Sequence, residues 1–163
     1  AGPTPHVPLD EWRFEVAETG FDPSRLDIEL TETAVIADFE ATRGALQELR
    51  ALGVSVVLDD FGTGYASLTH LHGLPIDKVK VDRSFVMRCE EDDDAASIVA
   101  ALVSLAHTLK LGVLAEGVEA VGQVAFLREL GCAEGQGYLF AAASPPAECP
   151  AFACQDGVVN VSA

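Results

Sequence analysis

The sequence predicts an α/β fold made of about five consecutive βα units of a (β/α)8 TIM-type barrel. Short apolar runs suited to buried strands alternate with longer segments of helical periodicity, and the unit repeats roughly every 25 to 35 residues, as parallel βαβ crossovers require. The same alternation would also fit a doubly wound sheet. No G-x-G-x-x-G phosphate loop follows the first predicted strand, so a dinucleotide-binding sheet is disfavoured and the partial barrel is preferred.

The strands are predicted from short apolar runs that are bounded by charged or turn-forming residues. The clearest run begins at Val54 and leads directly into Asp59 and Asp60. A loop with Gly62 and Gly64 follows, which must turn sharply or let a ligand approach the backbone. The predicted strands are residues 26–30, 54–58, 79–82, 113–115 and 137–140.

The helices are predicted from apolar residues spaced three or four positions apart. In the longest helix, Ile98, Leu102, Leu105 and Leu109 mark the face that we expect to turn inward. Gly53 is typical of a helix end, and the strand beginning at residue 54 follows it directly. The predicted helices are residues 9–19, 39–52, 66–71, 98–109 and 121–130.

The composition is that of a soluble α/β protein. With 163 residues, of which 49% are hydrophobic, the chain can bury a core and fits one ordinary domain or most of a larger one. Its apolar runs are short and interrupted, so we expect no transmembrane helix, no signal peptide and no direct membrane contact. The four cysteines form no C-x-x-C pair, which indicates reduced thiols in a cytoplasmic protein.

The net charge of −16 restricts the ligands that the chain can bind. A strongly negative field repels polyphosphates, so we expect no binding to a DNA or RNA polymer or to an anionic membrane. A small ligand that carries phosphate would need metal ions to reverse the local sign of the charge.

Polar side chains stand at the carboxyl ends of the predicted strands, where ligands bind in parallel α/β folds. Several carboxylates with one lysine and one amide make a hard-oxygen site, which suits Mg²⁺ or Mn²⁺ better than zinc. Each residue alone would more often be an ordinary strand-end charge, and one aspartate of the adjacent pair could instead cap a short helix. The residues are Glu29 and Glu32, Asp59 and Asp60, Lys80 and Asp82, Glu116 and Glu119, and Gln136.

Five segments in this order also resemble the EAL domain of bacterial cyclic-di-GMP phosphodiesterases. They are LDIELTET (26–33), LDDFGTGYASL (58–68), LPIDKVKVDRSFV (74–86), AEGVE (115–119) and GCAEGQGYLF (131–140). The resemblance covers about residues 22–140, and the combination of LDDFGTGYASL with AEGVE is highly specific.

The resemblance implies hydrolysis of cyclic di-GMP to linear pGpG with Mg²⁺ or Mn²⁺, through two-metal chemistry at the phosphodiester. It implies two groups of residues: one that binds the metal ions and acts on the attacking water, and one that lines the pocket or supports the nearby loop. Glu29 and Asp59 would ligate one cation and Asp60 would help to hold a second, while Glu116 would orient or deprotonate the attacking water and Lys80 would contact that water or the scissile phosphate. Gln136, Glu119, Glu32 and Asp82 would line the pocket or support the loop at 61–67.

The sequence departs from the family pattern at its N-terminal side. The strand that carries Glu-Ala-Leu and the following strand that carries a ligand Asn are not found ahead of Leu26. We therefore expect the polypeptide 1–163 alone to have little or no activity. The alternative function is an inactive module that binds cyclic di-GMP or a protein partner. The segment VVNVSA near the C-terminus resembles the Asn strand, which would fit a permuted chain with Asn160 as a ligand.

The expected organisation is a loose segment at 1–8, the C-terminal two-thirds of an EAL-like domain at 9–148 and a tail at 149–163. A partial barrel leaves open sheet edges, which favour association. The partners that we expect are cyclic di-GMP and either a second copy of the chain or a fused sensory or GGDEF-type domain.

Overall fold

In the computed structural model, five parallel strands form one sheet in which neighbours in sequence are neighbours in space. The structure describes residues 20–31, 39–63 and 73–142 and the backbone of 159–160. The strands are β1 (Asp27–Thr31), β2 (Ser55–Phe61), β3 (Lys78–Val81), β4 (Gly112–Ala115) and β5 (Glu134–Gly135). Sequential order is that of a barrel, because a doubly wound sheet reverses its strand order at the switch point. The predicted partial barrel of five βα units is confirmed.

Among the described residues, helices follow β1, β3 and β4 along the chain. They are α1 (Phe39–Ala51), α2 (Arg83–Val86), α3 (Asp93–Thr108) and α4 (Val121–Glu129), and a single 3-10 turn (Pro23–Arg25) precedes β1. The acidic run ahead of α3 supplies its cap, because the Asp92 carboxylate accepts from the backbone N–H groups of Asp94 and Ala95. The predicted helices at 9–19 and 66–71 lie outside the described residues. Within the described part of the chain, no helix combines the length and the apolarity needed to cross a membrane.

The two faces of the sheet have opposite character. The face that packs against the helices is apolar and includes Val56, Leu58, Val79 and Val81 of the main core. Since strand side chains alternate, Lys78 and Lys80 turn to the opposite, inner face. The inner face carries these charged side chains together with the buried Val57 and Leu114, so the polar groups stand on the side of the sheet away from the main core.

The inward face of α3 differs from the prediction by about one residue. The fully buried positions are Ala95, Val99, Val103 and Ala106, whereas Ile98 is 38% exposed. Small and β-branched side chains let the helix approach the sheet closely, and the larger leucines pack along its flanks. One of these leucines, Leu102, fills the space beside Gly62 in the loop after β2.

The predicted last strand at 137–140 is wrong. The strand is β5, three residues earlier, and residues 138–140 form a turn in which the N–H of Phe140 donates to the carbonyl of Gly137. The chain leaves the sheet because it wraps around Val118, which donates to Gln136 O and accepts from the N–H of Leu139. A side chain at Gly137 would collide with the backbone of Val118, so glycine is required for this close approach.

The permuted arrangement with Asn160 is also wrong. A sixth strand, β6 (Val159–Asn160), pairs with β5 in the antiparallel direction. A permuted Asn strand would have to run parallel and lie beside β1, at the other edge of the sheet. The segment therefore extends the sheet without supplying the missing barrel strand.

Candidate functional site

The ammonium group of Lys80 lies at the centre of the polar residues on the inner face. Its Nζ is 2.6 Å from Glu116 Oε1, 2.9 Å from Glu29 Oε2 and 3.2 Å from Asp59 Oδ1. The Lys80 side chain is only 5% exposed. Because all three oxygens contact the same nitrogen, the three carboxylates lie close to one another.

Five different strands bring these side chains and that of Gln136 together. Glu29 lies on β1, Asp59 on β2 and Lys80 on β3. Glu116 follows β4 directly, and Gln136 follows β5 directly. Parallel strands end at one edge of a sheet, so residues far apart in sequence meet there. The structure thus brings together five of the nine predicted site residues.

The adjacent aspartates lie at a β-bulge. Between Leu58 and Phe61 the register of β2 against β3 shifts by one residue, so Leu58 and Phe61 both face the core. Asp59 and Asp60 occupy the space between these two buried residues. Asp60 has a φ of 56°, and its N–H donates to Asp59 Oδ1 at 3.0 Å, which helps to fix the Asp59 carboxylate beside Lys80.

Gln136 holds the carboxylate of Glu116. Its Nε2 donates to Glu116 Oε1 at 2.7 Å, the same oxygen that lies against Lys80. Glu116 is 17% exposed, so both of these contacts form in a poorly hydrated place. Neither contact involves Oε2 of Glu116, which leaves that oxygen as the one able to accept from a further molecule.

The charge of Lys80 is maintained by its surroundings. Burial on its own would lower the pKa of Lys80, but hydrogen bonds to Glu116, Glu29 and Asp59 outweigh burial and hold the pKa well above its usual range. Lys80 therefore stays protonated at neutral pH and acts as a fixed cation and hydrogen-bond donor, not as a base.

The loop that carries Glu116 is fixed by Gln123, a residue that sequence reasoning missed. The buried side chain of Gln123 accepts from the N–H groups of Glu119 and Ala120 at 2.7 and 3.0 Å. Its Nε2 lies 3.4 Å from the carbonyl of Met87, which connects α4 to the end of α2. The position three residues into a helix is a recognised place for a capping glutamine, so this pattern could have indicated the role.

Three predicted site residues do not contribute a side chain to the group around Lys80, and one further residue cannot be placed there. Asp82 is the N-cap of α2, where its carboxylate accepts from the Ser84 N–H at 2.9 Å. Glu119 is exposed and takes part through its backbone. The side chain of Asp60 is not among the groups that contact Lys80. Glu32 lies outside the described residues.

The donor set fits a hard divalent cation in its chemistry. Glu29, Asp59 and Glu116 offer carboxylate oxygens, and Mg²⁺ and Mn²⁺ prefer oxygen ligands. Among the described residues, no three His, Cys, Asp or Glu side chains are grouped so that they alone could hold a metal ion. A cation here would therefore complete its coordination with oxygens from a ligand or from elsewhere in the protein.

The sequence and the fold match known proteins. A model of the EAL domain family matches residues 9–143. The cyclic di-GMP phosphodiesterase NbdA of Pseudomonas aeruginosa is 44% identical over 144 residues, which are 88% of this chain and 18% of NbdA. The solved PaMucR phosphodiesterase in complex with c-di-GMP matches with a TM-score of 0.81 at 41% identity, over 86% of this chain and 57% of that chain. BlrP1 of Klebsiella pneumoniae, in a manganese and cyclic di-GMP complex, matches with a TM-score of 0.74 at 34% identity, over 82% of this chain and 35% of that chain.

The chain belongs to the EAL domain family, as the sequence motifs predicted. It spans between 16% and 20% of the length of four curated relatives that it matches. The relatives' full-length proteins thus contain much more than the part that this chain aligns with.

Proposed function

We propose that the chain forms the greater part of an EAL-type phosphodiesterase site that hydrolyses cyclic di-GMP to linear pGpG with Mg²⁺ or Mn²⁺. The observation that carries this proposal is the arrangement of Glu116, which Lys80 and Gln136 contact at one oxygen while its other oxygen makes neither contact. A carboxylate fixed in this way, at the ligand-binding edge of a barrel, suits a group that orients and deprotonates water. The match to PaMucR with c-di-GMP supports the same substrate.

Each residue then has a defined role. Glu29, Asp59 and Asp60 would hold divalent cations, which supply positive charge to the phosphodiester and lower the pKa of bound water. Glu116 Oε2 accepts a proton from water as the water oxygen bonds to phosphorus, the phosphorus–oxygen bond to one ribose breaks, and the leaving ribose oxygen takes up a proton from solvent. Lys80 donates to the phosphate or to the water and keeps its positive charge throughout. Gln136 keeps Glu116 from rotating during the reaction.

The overall charge of the chain is consistent with this division of roles. A chain with net charge −16 repels an anionic nucleotide unless cations are placed where the phosphates bind. Lys80 is the fixed cation nearest to the carboxylates, and bound divalent ions would add the remainder. Removal of metal by a chelator should therefore weaken nucleotide binding as well as turnover.

The test is the Glu116→Gln variant of the longest polypeptide that the gene encodes, assayed with Mn²⁺ by separation of cyclic di-GMP from pGpG. Loss of a general base should lower kcat by about 10²–10⁴-fold and leave nucleotide affinity within a few-fold. Glu129→Gln, the same change at an exposed position in the last turn of α4, is the matched control and should retain full activity. Wild-type turnover by Glu116→Gln would show that the role proposed for Glu116 is wrong.

The polypeptide 1–163 by itself should hydrolyse cyclic di-GMP below detection. The Glu-Ala-Leu strand and the Asn strand of the family pattern are not in its sequence, and displacement of a reacting group by about 1 Å can cost about 10²-fold in rate. Robust Mn²⁺-dependent hydrolysis by purified monomeric 1–163 would contradict this expectation.

The second candidate is a module that binds cyclic di-GMP or a protein without hydrolysing the nucleotide. The observation that favours it is that Lys80 already forms ion pairs with the three carboxylates that would otherwise bind metal ions. Titration calorimetry distinguishes the two, because nucleotide binding without turnover by the longest polypeptide supports the binding module. Absence of nucleotide binding would leave a protein-binding role.

We also propose a cytoplasmic location and association through the open sheet edges, with a second copy or with a fused sensory or GGDEF-type domain. One relative, MucR of Pseudomonas aeruginosa, is a bifunctional diguanylate cyclase and cyclic di-GMP phosphodiesterase by name. Mass measurement in solution by light scattering would test the homodimer.

A further inference from the structure

A second group of ion pairs lies on the inner face of the sheet, one layer away from the candidate site. Lys78 Nζ is 2.9 Å from Glu134 Oε2 and 3.5 Å from Asp27 Oδ2. Lys78 and Glu134 are partly buried, with side chains 27% and 28% exposed, whereas the Asp27 side chain is 40% exposed. Sequence reasoning missed these residues, although they are spaced regularly with respect to the predicted site.

Each member of this group stands two residues before a site residue that lies on the same strand or, for Gln136, directly after it. Asp27 precedes Glu29, Lys78 precedes Lys80, and Glu134 precedes Gln136 by two positions. Side chains two residues apart on a strand point to the same face and lie in successive layers. Lys78 and its partners therefore form the layer directly beneath Glu29, Lys80 and Gln136.

The ion pairs cross between strands that are not neighbours. β1 is separated from β3 by β2, and β5 is separated from β3 by β4. Of the residues on the intervening strands, Ser55 pairs with Asp27 and Gly112 pairs with Lys78, whereas the larger Val57 and Leu114 pair with Lys78 and Glu134 respectively. A Cβ at Gly112 would lie 3.0 Å from Lys78 Cγ, so the absence of a side chain there gives the lysine stem its path across the sheet.

We propose that Lys78 is a positioning residue, which draws β1 and β5 toward β3 and so sets the distances between Glu29, Lys80 and Gln136 one layer away. The idea that this spacing serves catalysis rests on the proposed function, whereas the effect of Lys78 on the spacing itself does not depend on it. Without the Lys78 charge, Asp27 and Glu134 would face one another as like charges, and the sheet would open at the level of the site.

The experiment follows the Lys80 ammonium and the Gln136 side-chain amide by nitrogen-15 NMR in polypeptide 1–163, without metal or nucleotide. Both groups are held by Glu116, so their exchange with solvent reports the closure of the site. In Lys78→Met both groups should exchange about 10-fold faster, whereas Lys78→Arg, which keeps a cation, should stay within about twofold of wild type.

Arg50→Met is the matched control, because it also removes a 2.8 Å ion pair between distant residues, with Asp77, but outside the inner layer. It should leave both exchange rates unchanged. Unchanged rates in Lys78→Met would overturn the proposal. If Lys78→Met does not fold, Glu134→Met decides by the same criterion, since it removes the shorter of the two Lys78 contacts and leaves no side-chain acceptor in its place.

Mn²⁺ binding, measured by electron paramagnetic resonance, separates this inference from the proposed function. Loss of a supporting contact should weaken Mn²⁺ affinity about 10-fold in Lys78→Met relative to wild type. If the wild-type chain binds no Mn²⁺, the metal roles in the proposed function fail, while the exchange rates still decide the role of Lys78.

Discussion

Gln136 and Glu116 are joined by a 2.7 Å hydrogen bond across the ends of β5 and β4, and the Glu116 oxygen that accepts it also lies 2.6 Å from Lys80. A carboxylate contacted by two donors at one oxygen has little freedom to rotate. The orientation of Glu116 is therefore determined by two neighbouring strands together, and each neighbour can be removed separately.

Replacement of Gln136 by Met should lower the free energy of unfolding by about 1.5 kcal/mol, because hydrogen bonds to charged groups contribute about 1.5–3 kcal/mol and this pair is partly hydrated. Urea unfolding of 1–163 at pH 7 measures the change. Tyr138→Ser, two residues further along at an exposed position, is the control and should change stability by less than about 0.5 kcal/mol. Equal stabilities for Gln136→Met and wild type would show that the bond is dispensable.

Replacement of Lys80 by Met should leave the carboxylates of Glu29, Asp59 and Glu116 without their cation. Unpairing a buried charge costs about 3–5 kcal/mol, and partial exposure of these carboxylates should reduce the loss to about 2 kcal/mol. Mn²⁺ should then raise the melting temperature of Lys80→Met by more than that of wild type, because the ion replaces the lost charge. Differential scanning calorimetry with and without Mn²⁺ measures both effects. An equal or smaller Mn²⁺ response in the variant would contradict this view of the site.

Two glycine replacements should have opposite effects. Gly137→Ala should destabilise the chain by about 1–3 kcal/mol or more, because the new Cβ meets the backbone of Val118, which cannot move aside easily. Gly44→Ala within α1 meets no atom within 4 Å and should stabilise by about 0.5–1 kcal/mol. Chemical unfolding of both variants provides the comparison. Stabilisation by Gly137→Ala would mean that the chain does not wrap around Val118 as described.

Stability should fall as pH rises from 9 toward 11 because of Cys132. Burial raises the pKa of this thiol from 9.0 to about 11, so above pH 9 the unfolded chain loses a proton that the folded chain keeps. The free energy of unfolding should decline by up to about 1.4 kcal/mol per pH unit in this window from Cys132 alone. Lys78 and Lys80 have folded-state pKa values raised above 10.5, so they contribute little to the slope near pH 9 and steepen the decline as pH approaches 10.5.

The Cys132→Ala variant should show a shallower decline between pH 9 and 10.5 when unfolding is measured by urea. The effect of the lost sulfur on packing is obtained from the same two proteins at pH 7, where the thiol is protonated in both states. Parallel slopes for wild type and Cys132→Ala would rule out Cys132 as the source.

The order and type of β1 to β4 could be predicted because each of these strands contains a short apolar run between turn residues, and five of the site residues follow from strand ends alone. The bulge at Asp59 and Asp60 could not, because the letters LDDF read equally well as a strand end and as a strand that continues to Phe61. The position of β5 was misjudged because Tyr138, Leu139 and Phe140 are more strand-like in composition than Glu134 and Gly135.

The layer around Lys78 shows a different limit. Each residue of this layer was visible in the sequence, but the pairing joins alternate strands, and it depends on the register between β3 and β4 and on the missing side chain of Gly112. A sequence pattern gives the face on which a residue lies. It does not give the distance to a strand two positions away.

The backbone of Asp60 has a φ of 56°, a conformation that favours a different residue from the one that the proposed site needs at this position. Aspartate tolerates this left-handed conformation better than most residues, but glycine adopts it at no steric cost and asparagine with comparable ease. Selection for heat resistance alone would therefore reward glycine at position 60 and discard the carboxylate. In the proposed function Asp60 would hold a cation, so aspartate at this position would represent a trade-off between stability and that function, and a thermostabilised variant with glycine here would be expected to lose cation affinity.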